Sequence, residues 1–402
     1  MINLPDNFFE EYWQKKPCLI KAGTEWRPEI TPDELAGIAC EEEGRARIIR
    51  ENTEETGAAR WQLAEGPFEE KDFATLQESH WTLLVQEVDS WDEQVAELMA
   101  MPVIPQWRVQ DVMVSYAVDQ GSVGPHFDYY DVFLVQGMGK RTWKLGQTCD
   151  DNSPRLAHDN LLLLKDMDVY EEHLVEPGDI LYIPPGVSHW GISEGECMTF
   201  SIGFRAPSAA ETMQELVETI TPQLNDNERY KDSDALIQYH QQQDFNNQLC
   251  PAAINSFRQL ITDKLTDERI AHWLGLRTTS SDSRLPLSEE ITSEHFEAIW
   301  AEGCFDKHAQ AKMSWFQPEH ESFAMLFCNG QDIKVYSGLS KEDEREYLQA
   351  FCEFTVIDVN DEQFNQAQCT REIVRWMVEI DALAPLELGG EDGDDDFDED
   401  EA

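Results

Sequence analysis

Short apolar runs, separated by glycine and proline, dominate the chain from about residue 111 to residue 206. β-Branched and aromatic residues are frequent in these runs, which favours strands over helices. The runs read DVMVSYAV, DVFLVQG, RTWKLG, DILYIPPG and MTFSIGF, and we expect a turn at Gly137–Gly139 between the second and the third. Many short strands at regular spacing predict a β-sandwich or a barrel.

The N-terminal segment adds helices to this β-rich region. FFEEYWQKKPCLIKAG predicts an aromatic helical segment that is followed, after Pro17, by a short strand. TPDELAGIACEEE predicts a helix in which Thr31 is the cap, Pro32 lies in the first turn and Glu34 completes a capping box. Residues 1–206 are therefore predicted to form one mixed domain in which strands dominate.

The periodicity changes to a helical one at RAPSAAETMQELVETI. Apolar positions recur at helical spacing in this segment and in AAINSFRQLITDKL and DERIAHWLGL. We predict an α-helical region over residues 207–280. An amphipathic bundle of this kind is more often a packing or dimerisation surface than a catalytic unit.

A polar linker, residues 277–286, leads into a small α/β region that extends to residue 386. The stretch ESFAMLFCNGQDIKVYSG predicts a hairpin around Asn329–Gly330, because Asn-Gly favours a type I′ turn. With predicted helices in SEEITSEHFEAIWAEG and REIVRWMVEIDALA, residues 281–386 resemble a winged-helix-like domain. Residues 387–402 are predicted to be a disordered acidic tail. The fold class is α+β.

Charge restricts the possible partners. The 402 residues carry a formal net charge of −50, so a direct nucleic-acid ligand would be repelled. Two explanations of the charge stay open. One is solubility alone, and the other is long-range attraction of a strongly basic protein partner. The acidity also favours a protein contact, and not DNA binding, for the winged-helix-like domain.

Cysteine usage and hydropathy indicate the cellular compartment. The nine cysteines are scattered and form no CxxC pair, which is typical of free thiols in a reducing cytoplasm. No apolar run reaches the length of a membrane span, and the acidic start with Pro5 is unlike a signal peptide. We predict a cytoplasmic protein without a membrane partner.

Three residues have the spacing of a metal site. His126 and Asp128 are two positions apart in GPHFDYYD, so both side chains can lie on one face of a strand, and His189 in EPGDILYIPPGVSHW can supply a third ligand. Two histidines and one carboxylate form the facial triad of non-haem Fe(II), with positions left for a chelating 2-oxo acid and for dioxygen. A lone HxD is weak, since a strand histidine and a turn-capping aspartate would also fit it.

Four nearby residues have the chemistry of a pocket. Arg141 can bind a carboxylate with two parallel hydrogen bonds, so we expect it to hold the distal carboxylate of 2-oxoglutarate, unless it is a surface residue paired with an acid. Asp111, Met113 and Ser115 share one strand face, where an acid could pair with a cationic substrate and a hydroxyl could donate to the co-substrate. A solvent-facing row is the alternative.

These motifs, together with YWQKKPCLIKAG and FSIGFRAP, resemble those of the bacterial jumonji-C ribosomal oxygenases, most closely the branch that hydroxylates an arginine of a large-subunit ribosomal protein. The resemblance is strong over residues 1–206. It implies a double-stranded β-helix of the cupin type, a homodimer formed by the helical region, and Fe(II), 2-oxoglutarate and dioxygen as cofactor and co-substrates.

The resemblance also implies roles for individual residues. The iron ligands would be His126, Asp128 and His189. The 2-oxoglutarate site would contain Ser115, Arg141 and Ser201. The pocket for the target arginine would contain Asp111, Met113 and Tyr130, with Tyr130 stacked on the guanidinium.

Other functions stay open at this stage. The same scaffold can hydroxylate histidine or demethylate methyl-lysine, although Asp111 favours a cationic target over neutral histidine. A non-catalytic cupin-like binding protein would not need the intact triad together with Arg141. A transcriptional regulator would have to bind DNA despite its acidity.

Overall fold

The computed structural model describes residues 2–101, 104–225, 227–242, 249–280, 292–308 and 311–386. The chain divides into two compact units, Met1–Thr212 and Met213–Ala402. The predicted acidic tail and most of the predicted polar linker lie outside the described residues. Within the described ranges, no helix is both long enough and apolar enough to cross a membrane.

The described part of the first unit consists of short helices around nine strands. The strands are β1 (Cys18–Ile20), β2 (Ala46–Glu51), β3 (Trp61–Glu65), β4 (Trp81–Val85), β5 (Val109–Ala117), β6 (Val132–Thr148), β7 (Val169–Val175), β8 (Ile180–Ile183) and β9 (Val187–Phe204). The α-helices are α1 (Phe8–Glu11), α2 (Pro32–Ile38), α3 (Glu70–Phe73) and α4 (Glu93–Ala96). Short 3₁₀ turns cover Gly57–Arg60, Val88–Ser90, Glu97–Met99 and Gln106–Arg108.

The nine strands form one antiparallel sheet in the order β1-β8-β6-β9-β5-β4-β2-β3, with β7 paired to β6. Most neighbours in the sheet are distant in sequence. β6 pairs with β8 along its first residues, with β7 along its last residues, and with β9 on its other side. The two central strands, β6 and β9, therefore connect all other parts of the sheet.

The predicted turn at Gly137–Gly139 is wrong. β6 runs unbroken over Val132–Thr148, and the strand register shifts on both sides of Met138. Gly139 has φ +62°, and a Cβ atom there would lie 1.9 Å from the carbonyl oxygen of Glu196. The glycines therefore form bulges that bend one long strand instead of ending it.

The two faces of β6 pack in different environments. Phe133 belongs to the large core, where its ring lies 5.5 Å from that of Phe8 in α1. Val132 and Leu134, on the opposite face, belong to a second cluster with Trp143. This alternation is the period of two that a strand imposes, and it directs Val132 and Leu134 toward the cavity described below. After the register shifts around Met138, the odd-numbered Arg141 and Trp143 line the same cavity.

The predicted N-terminal helices are present. α1 is a single turn, and the following strand is β1. In α2 the Thr31 hydroxyl accepts a hydrogen bond from the backbone N–H of Glu34, and the Glu34 carboxylate accepts one from the N–H of Thr31. The capping box is therefore confirmed.

The second unit combines helices with two small sheets. Its helices are α5 (Ala209–Ile220), which begins just before the unit boundary, α6 (Asp234–Gln242), α7 (Pro251–Thr262), α8 (Asp267–Thr279), α9 (Ser293–Glu302), α10 (Lys341–Glu353), α11 (Glu362–Asn365) and α12 (Thr370–Glu379). A 3₁₀ turn covers Thr221–Gln223. The strands are β10 (Cys304–Lys307), β11 (Met313–Phe316), β12 (Ala324–Cys328), β13 (Gln331–Val335), β14 (Val356–Asp358) and β15 (Leu383–Pro385).

These strands form two antiparallel sheets, β14-β10-β15 and β11-β12-β13. The predicted hairpin is confirmed as β12–β13, with positive φ at both Asn329 and Gly330 as a type I′ turn requires. β11 adds a third strand to this hairpin. α8 continues to Thr279, so the predicted linker begins too early, and its Gly275 lies directly against the Phe327 ring of β12.

Candidate metal centre and co-substrate pocket

Backbone pairing brings the two candidate histidines together. The N–H of His126 donates to the carbonyl of His189 over 3.0 Å, and the N–H of His189 donates to the carbonyl of His126 over 2.8 Å. The carbonyl of Asp128 accepts from the N–H of Gly186 over 2.7 Å, at the turn before β9. The loop after β5 is thus paired with the start of β9.

Donor atoms of His126, Asp128 and His189 converge as the HxD spacing predicts. One side-chain donor atom from each residue lies within 4.8 Å of the others. Nε2 of His189 lies 3.5 Å from a carboxylate oxygen of Asp128. His189 is buried, whereas His126 and Asp128 are half-buried at the cavity wall. Two imidazole nitrogens and one carboxylate oxygen are the donor set of a facial triad.

The main chain fixes both imidazole rings. Nδ1 of His126 lies 2.9 Å from the carbonyl oxygen of Gly124, and Nδ1 of His189 lies 3.0 Å from that of Val187. A carbonyl can only accept, so each Nδ1 must carry the proton that it donates. Each Nε2 is then left as the lone-pair atom, which is the arrangement that metal-binding histidines have.

The electrostatic environment keeps His189 neutral. Burial lowers the pKa of His189 to about 4, and the neighbouring His126 acts in the same direction, against Asp128 and the hydrogen bond to Val187. A neutral imidazole retains the lone pair that a metal ion needs, so the His189 ring is ready to bind a cation at neutral pH.

Arg141 is buried in the same cavity, with only 4% of its surface exposed. Its Nη1 donates to the hydroxyl of Ser115 over 3.2 Å, and its guanidinium lies 5.6 Å from the Trp143 ring. Its Nε and Nη2 have no hydrogen-bond partner among the described residues. A buried cation with unused donors is costly unless an anion occupies the space in front of it.

All the predicted site residues line one cavity. They are Asp111, Met113, Ser115, His126, Asp128, Tyr130, Arg141, His189 and Ser201. β5 contributes Asp111, Met113 and Ser115 by strand alternation, so the expected pocket wall is present and the solvent-facing alternative is wrong. Ser201 comes from β9, opposite Leu134 of β6.

The cavity also contains residues that the sequence did not indicate. Arg47, Gln86 and Trp143 line it. Gln86 donates its amide N–H to the carboxylate of Asp111. No local motif marks Arg47 and Gln86, because their position depends on β4 lying beside β5 and on β2 lying beside β4. Trp143 follows Arg141 by two positions on β6, so strand alternation places both side chains on one face.

Tyr130 forms part of the rim and is 40% exposed. The Asp128 carboxylate raises the pKa of Tyr130, with desolvation and Asp111 acting in the same direction, so the phenol stays protonated and hydrogen-bonds to Asp128. The outer part of the cavity thus combines a neutral aromatic ring with the buried carboxylate of Asp111.

Comparisons with known proteins agree with this geometry. A JmjC domain family model matches residues 97–212, and an AraC-like ligand binding domain model matches residues 170–272. The crystal structure of Escherichia coli ycfD superimposes with a TM-score of 0.79 at 27% identity, covering 96% of this chain and 99% of that one. The structure of the Escherichia coli ribosomal oxygenase YcfD with cobalt and 2-oxoglutarate gives a TM-score of 0.77 at 27% identity, covering 95% and 98%.

Sequence relatives narrow the classification. Ribosomal protein uL16 3-hydroxylase of Escherichia coli is 34% identical over 290 residues, which are 71% of this chain and 74% of the relative. A probable ribosomal oxygenase of Haemophilus influenzae is 35% identical over 270 residues, 65% and 64% of the two chains. The antiparallel, cupin-like β-sandwich with its cavity defines a JmjC-type 2-oxoglutarate-dependent oxygenase. Within that class, the chain belongs to the ribosomal oxygenase family.

Proposed function

We propose that this protein is an Fe(II)- and 2-oxoglutarate-dependent dioxygenase that hydroxylates an arginine side chain of a large-subunit ribosomal protein. One observation carries the proposal: a His-Asp-His donor set and a buried arginine with unused N–H donors line one cavity. The Escherichia coli relative is named as a hydroxylase of ribosomal protein uL16, which supports the substrate class.

His126, Asp128 and His189 would hold the iron. Their donor atoms, two Nε2 and one carboxylate oxygen, fit Fe(II) and leave coordination positions open for the co-substrate and dioxygen. Bound Fe(II) supplies the oxidative decarboxylation of 2-oxoglutarate to succinate and carbon dioxide, coupled to oxygen insertion into a substrate C–H bond. Because the main chain fixes both tautomers, the ligands are preorganised before any ion binds.

Arg141, Ser115 and Ser201 would hold 2-oxoglutarate. The free Nε and Nη2 of Arg141 present two parallel donors, which suit the distal carboxylate of a keto-diacid. Ser115 accepts from Nη1 and so orients the guanidinium plane. Ser201 adds a hydroxyl to the same wall.

Asp111, Met113 and Tyr130 would position the target residue. Asp111 can pair with a guanidinium, and the Tyr130 ring can stack on its planar face. Gln86 steadies the Asp111 carboxylate through its amide. The reaction depends on this positioning, because the target carbon has to be held close to the metal in a near-attack geometry.

Mass spectrometry of peptides tests the activity and its target together. The purified chain, Fe(II) and 2-oxoglutarate are incubated with a ribosomal peptide that contains arginine, and with versions in which histidine or methyl-lysine replaces it. We expect one added oxygen atom on the arginine peptide only, with matching succinate formation. Hydroxylation of histidine or loss of methyl groups would select the related activities, and no turnover of 2-oxoglutarate would favour a binding protein.

His126→Ala is the matched loss-of-function variant. It should abolish succinate formation, because one of the three metal donors is lost. The far-UV circular dichroism should stay unchanged, because the backbone pairing of residues 126 and 189 does not depend on the side chain. Full activity in this variant would refute the ligand assignment.

We further propose that residues 207–280 form a homodimer. Ile254, Phe257 and Ile261 are each about half exposed and recur on one face of α7. An apolar stripe of this kind is typical of an interface. Light scattering after gel filtration should show a dimer that Phe257→Asp converts to a monomer.

The remaining assignments concern the setting of the enzyme. We propose that it acts in the cytoplasm on a basic protein, without binding nucleic acid directly. We also propose residues 281–386 as a winged-helix-like domain that contacts protein. The net charge of −50 supports a basic partner for the chain as a whole.

A further inference from the structure

The strand that carries His189 also holds the loop that carries His126. We infer that Ser122 and Trp190, which have no contact with the proposed iron, are positioning residues for the His126 imidazole. The inference rests on the proposed function, since it concerns the same metal site.

A chain of three hydrogen bonds leads from Trp190 to His126. Nε1 of Trp190 donates to the hydroxyl oxygen of Ser122 over 2.7 Å. The same oxygen accepts the backbone N–H of Gly124 over 3.0 Å. The carbonyl of Gly124 in turn accepts from Nδ1 of His126 over 2.9 Å. Ser122 is only 2% exposed, so water cannot readily replace these bonds.

The surrounding backbone holds this series of hydrogen bonds in a single arrangement. Ser193 of β9 exchanges backbone hydrogen bonds with the loop, as its carbonyl accepts from Gln120 and its N–H donates to Gly121, both over 3.1 Å. Gly124 has φ +81°, and a Cβ atom there would lie 2.7 Å from the Leu163 side chain. The backbone at Gly124 is therefore closely confined, and the Ser122 hydroxyl is its side-chain anchor.

Loss of the Ser122 hydroxyl would leave two donors without their acceptor, the buried N–H of Gly124 and the half-buried indole N–H of Trp190. The Gly124 carbonyl would then shift. Because this carbonyl fixes both the tautomer and the direction of the His126 ring, the imidazole would shift with it. The main consequence should be weaker metal binding, because partners behind a metal ligand typically contribute about 10- to 100-fold to affinity.

Calorimetric titration of the metal-free, full-length protein with Co(II) tests this role without turnover. We expect Ser122→Ala to weaken Co(II) binding about 10-fold, and Trp190→Phe to weaken it less because the bond from Ser122 to Gly124 remains. The double variant should bind as Ser122→Ala does, since both changes act through one oxygen. Thr82→Val is the control, because the buried Thr82 hydroxyl has no partner among the described residues.

Thermal unfolding separates positioning from a purely structural role. If Ser122→Ala lowers the unfolding temperature of the metal-free protein but leaves Co(II) affinity unchanged, the inference is wrong. If Ser122→Ala does not fold, Trp190→Phe tests the inference by the same two measurements, Co(II) affinity and unfolding temperature. Failure of the wild type to bind Co(II) would overturn the proposed metal site itself, whereas normal wild-type binding with unaffected variants would overturn only this inference.

Discussion

At the scale of single residues, the energetic cost of burying the Arg141 guanidinium explains the composition of the site best. Arg141 lies inside the first unit, and two of its nitrogens, Nε and Nη2, have no hydrogen-bond partner among the described residues. Folding would not keep such a cation for stability alone, since an apolar side chain would pack at lower cost. We therefore expect an anion from solution to complete the site.

Removing this cation gives the first prediction. Arg141→Ala should raise the apparent KM for 2-oxoglutarate roughly 10- to 100-fold, because charge-assisted hydrogen bonds contribute about 1.5–3 kcal/mol. Succinate formation at varied 2-oxoglutarate concentration measures the change. Arg345→Ala is the control, since it removes an exposed arginine of the second unit whose Nε donates to Gln317. An unaltered KM would assign Arg141 another task.

At the scale of elements, patterns confined to a few neighbouring residues predicted caps and turns correctly, whereas the continuity of a long strand did not follow from its own sequence. The capping box of α2 and the Asn329–Gly330 hairpin depend on a few neighbouring residues, so their sequence patterns were sufficient. The strands DVFLVQG and RTWKLG were predicted as separate, since glycine marks a turn and a bulge alike. Only the partner strand β9 distinguishes the two.

The same limit applies to the cavity. The HxD spacing and the alternation of β5 place side chains on a face without reference to the rest of the fold. Arg47 and Gln86 enter the cavity because of the sheet order, which no local period reveals. The sequence therefore predicts the ligands and the pocket residues of β5, but not the supporting residues that neighbouring strands contribute.

The glycine bulge in β6 gives a prediction about stability. Gly139→Ala should lower the free energy of unfolding by more than about 3 kcal/mol, since positive φ and a backbone clash act together. Gly195→Ala is the matched control: its φ is +71°, but no atom lies within 4 Å of the added Cβ, so about 1 kcal/mol is expected. Urea denaturation of both variants measures the difference. Equal losses would show that the bulge tolerates a side chain.

The turn before β8 gives a prediction about pH. Burial would raise the pKa of Asp179, but hydrogen bonds from Lys21 and from the N–H groups of Ala22 and Glu176 outweigh it and lower that pKa. Asp179→Asn should therefore cost about 1–3 kcal/mol of unfolding free energy at pH 7.

This loss should depend on pH in one direction. A depressed folded-state pKa stabilises the fold fully above the unfolded value, about 3.9, and the contribution disappears as pH falls through the lower folded value. The gap between wild type and Asp179→Asn should thus close in acid. Denaturation curves from pH 7 down to pH 3 would reveal it, and a constant gap would contradict the assignment.

At the scale of the whole molecule, net charge should influence the rate at which a protein partner associates. A net charge of −50 produces a long-range field that attracts a basic protein and that salt screens. We predict that kcat/KM for an intact basic ribosomal protein falls steeply as salt rises, whereas kcat/KM for a short peptide with no net charge changes little. Parallel salt dependence for both substrates would indicate that the charge serves solubility alone.

The carbonyls behind His126 and His189 have a consequence for protein engineering. Every amino acid offers the same carbonyl, so residue 187 could change in identity without loss of the bond that orients the His189 ring. Gly124 has no such freedom, because its φ is +81° and an added Cβ atom would lie 2.7 Å from the Leu163 side chain. Chain length has no such freedom, because one residue inserted ahead of position 189 in β9 would turn that imidazole to the opposite face. Libraries built around this centre should therefore vary residue 187, keep Gly124, and exclude insertions and deletions.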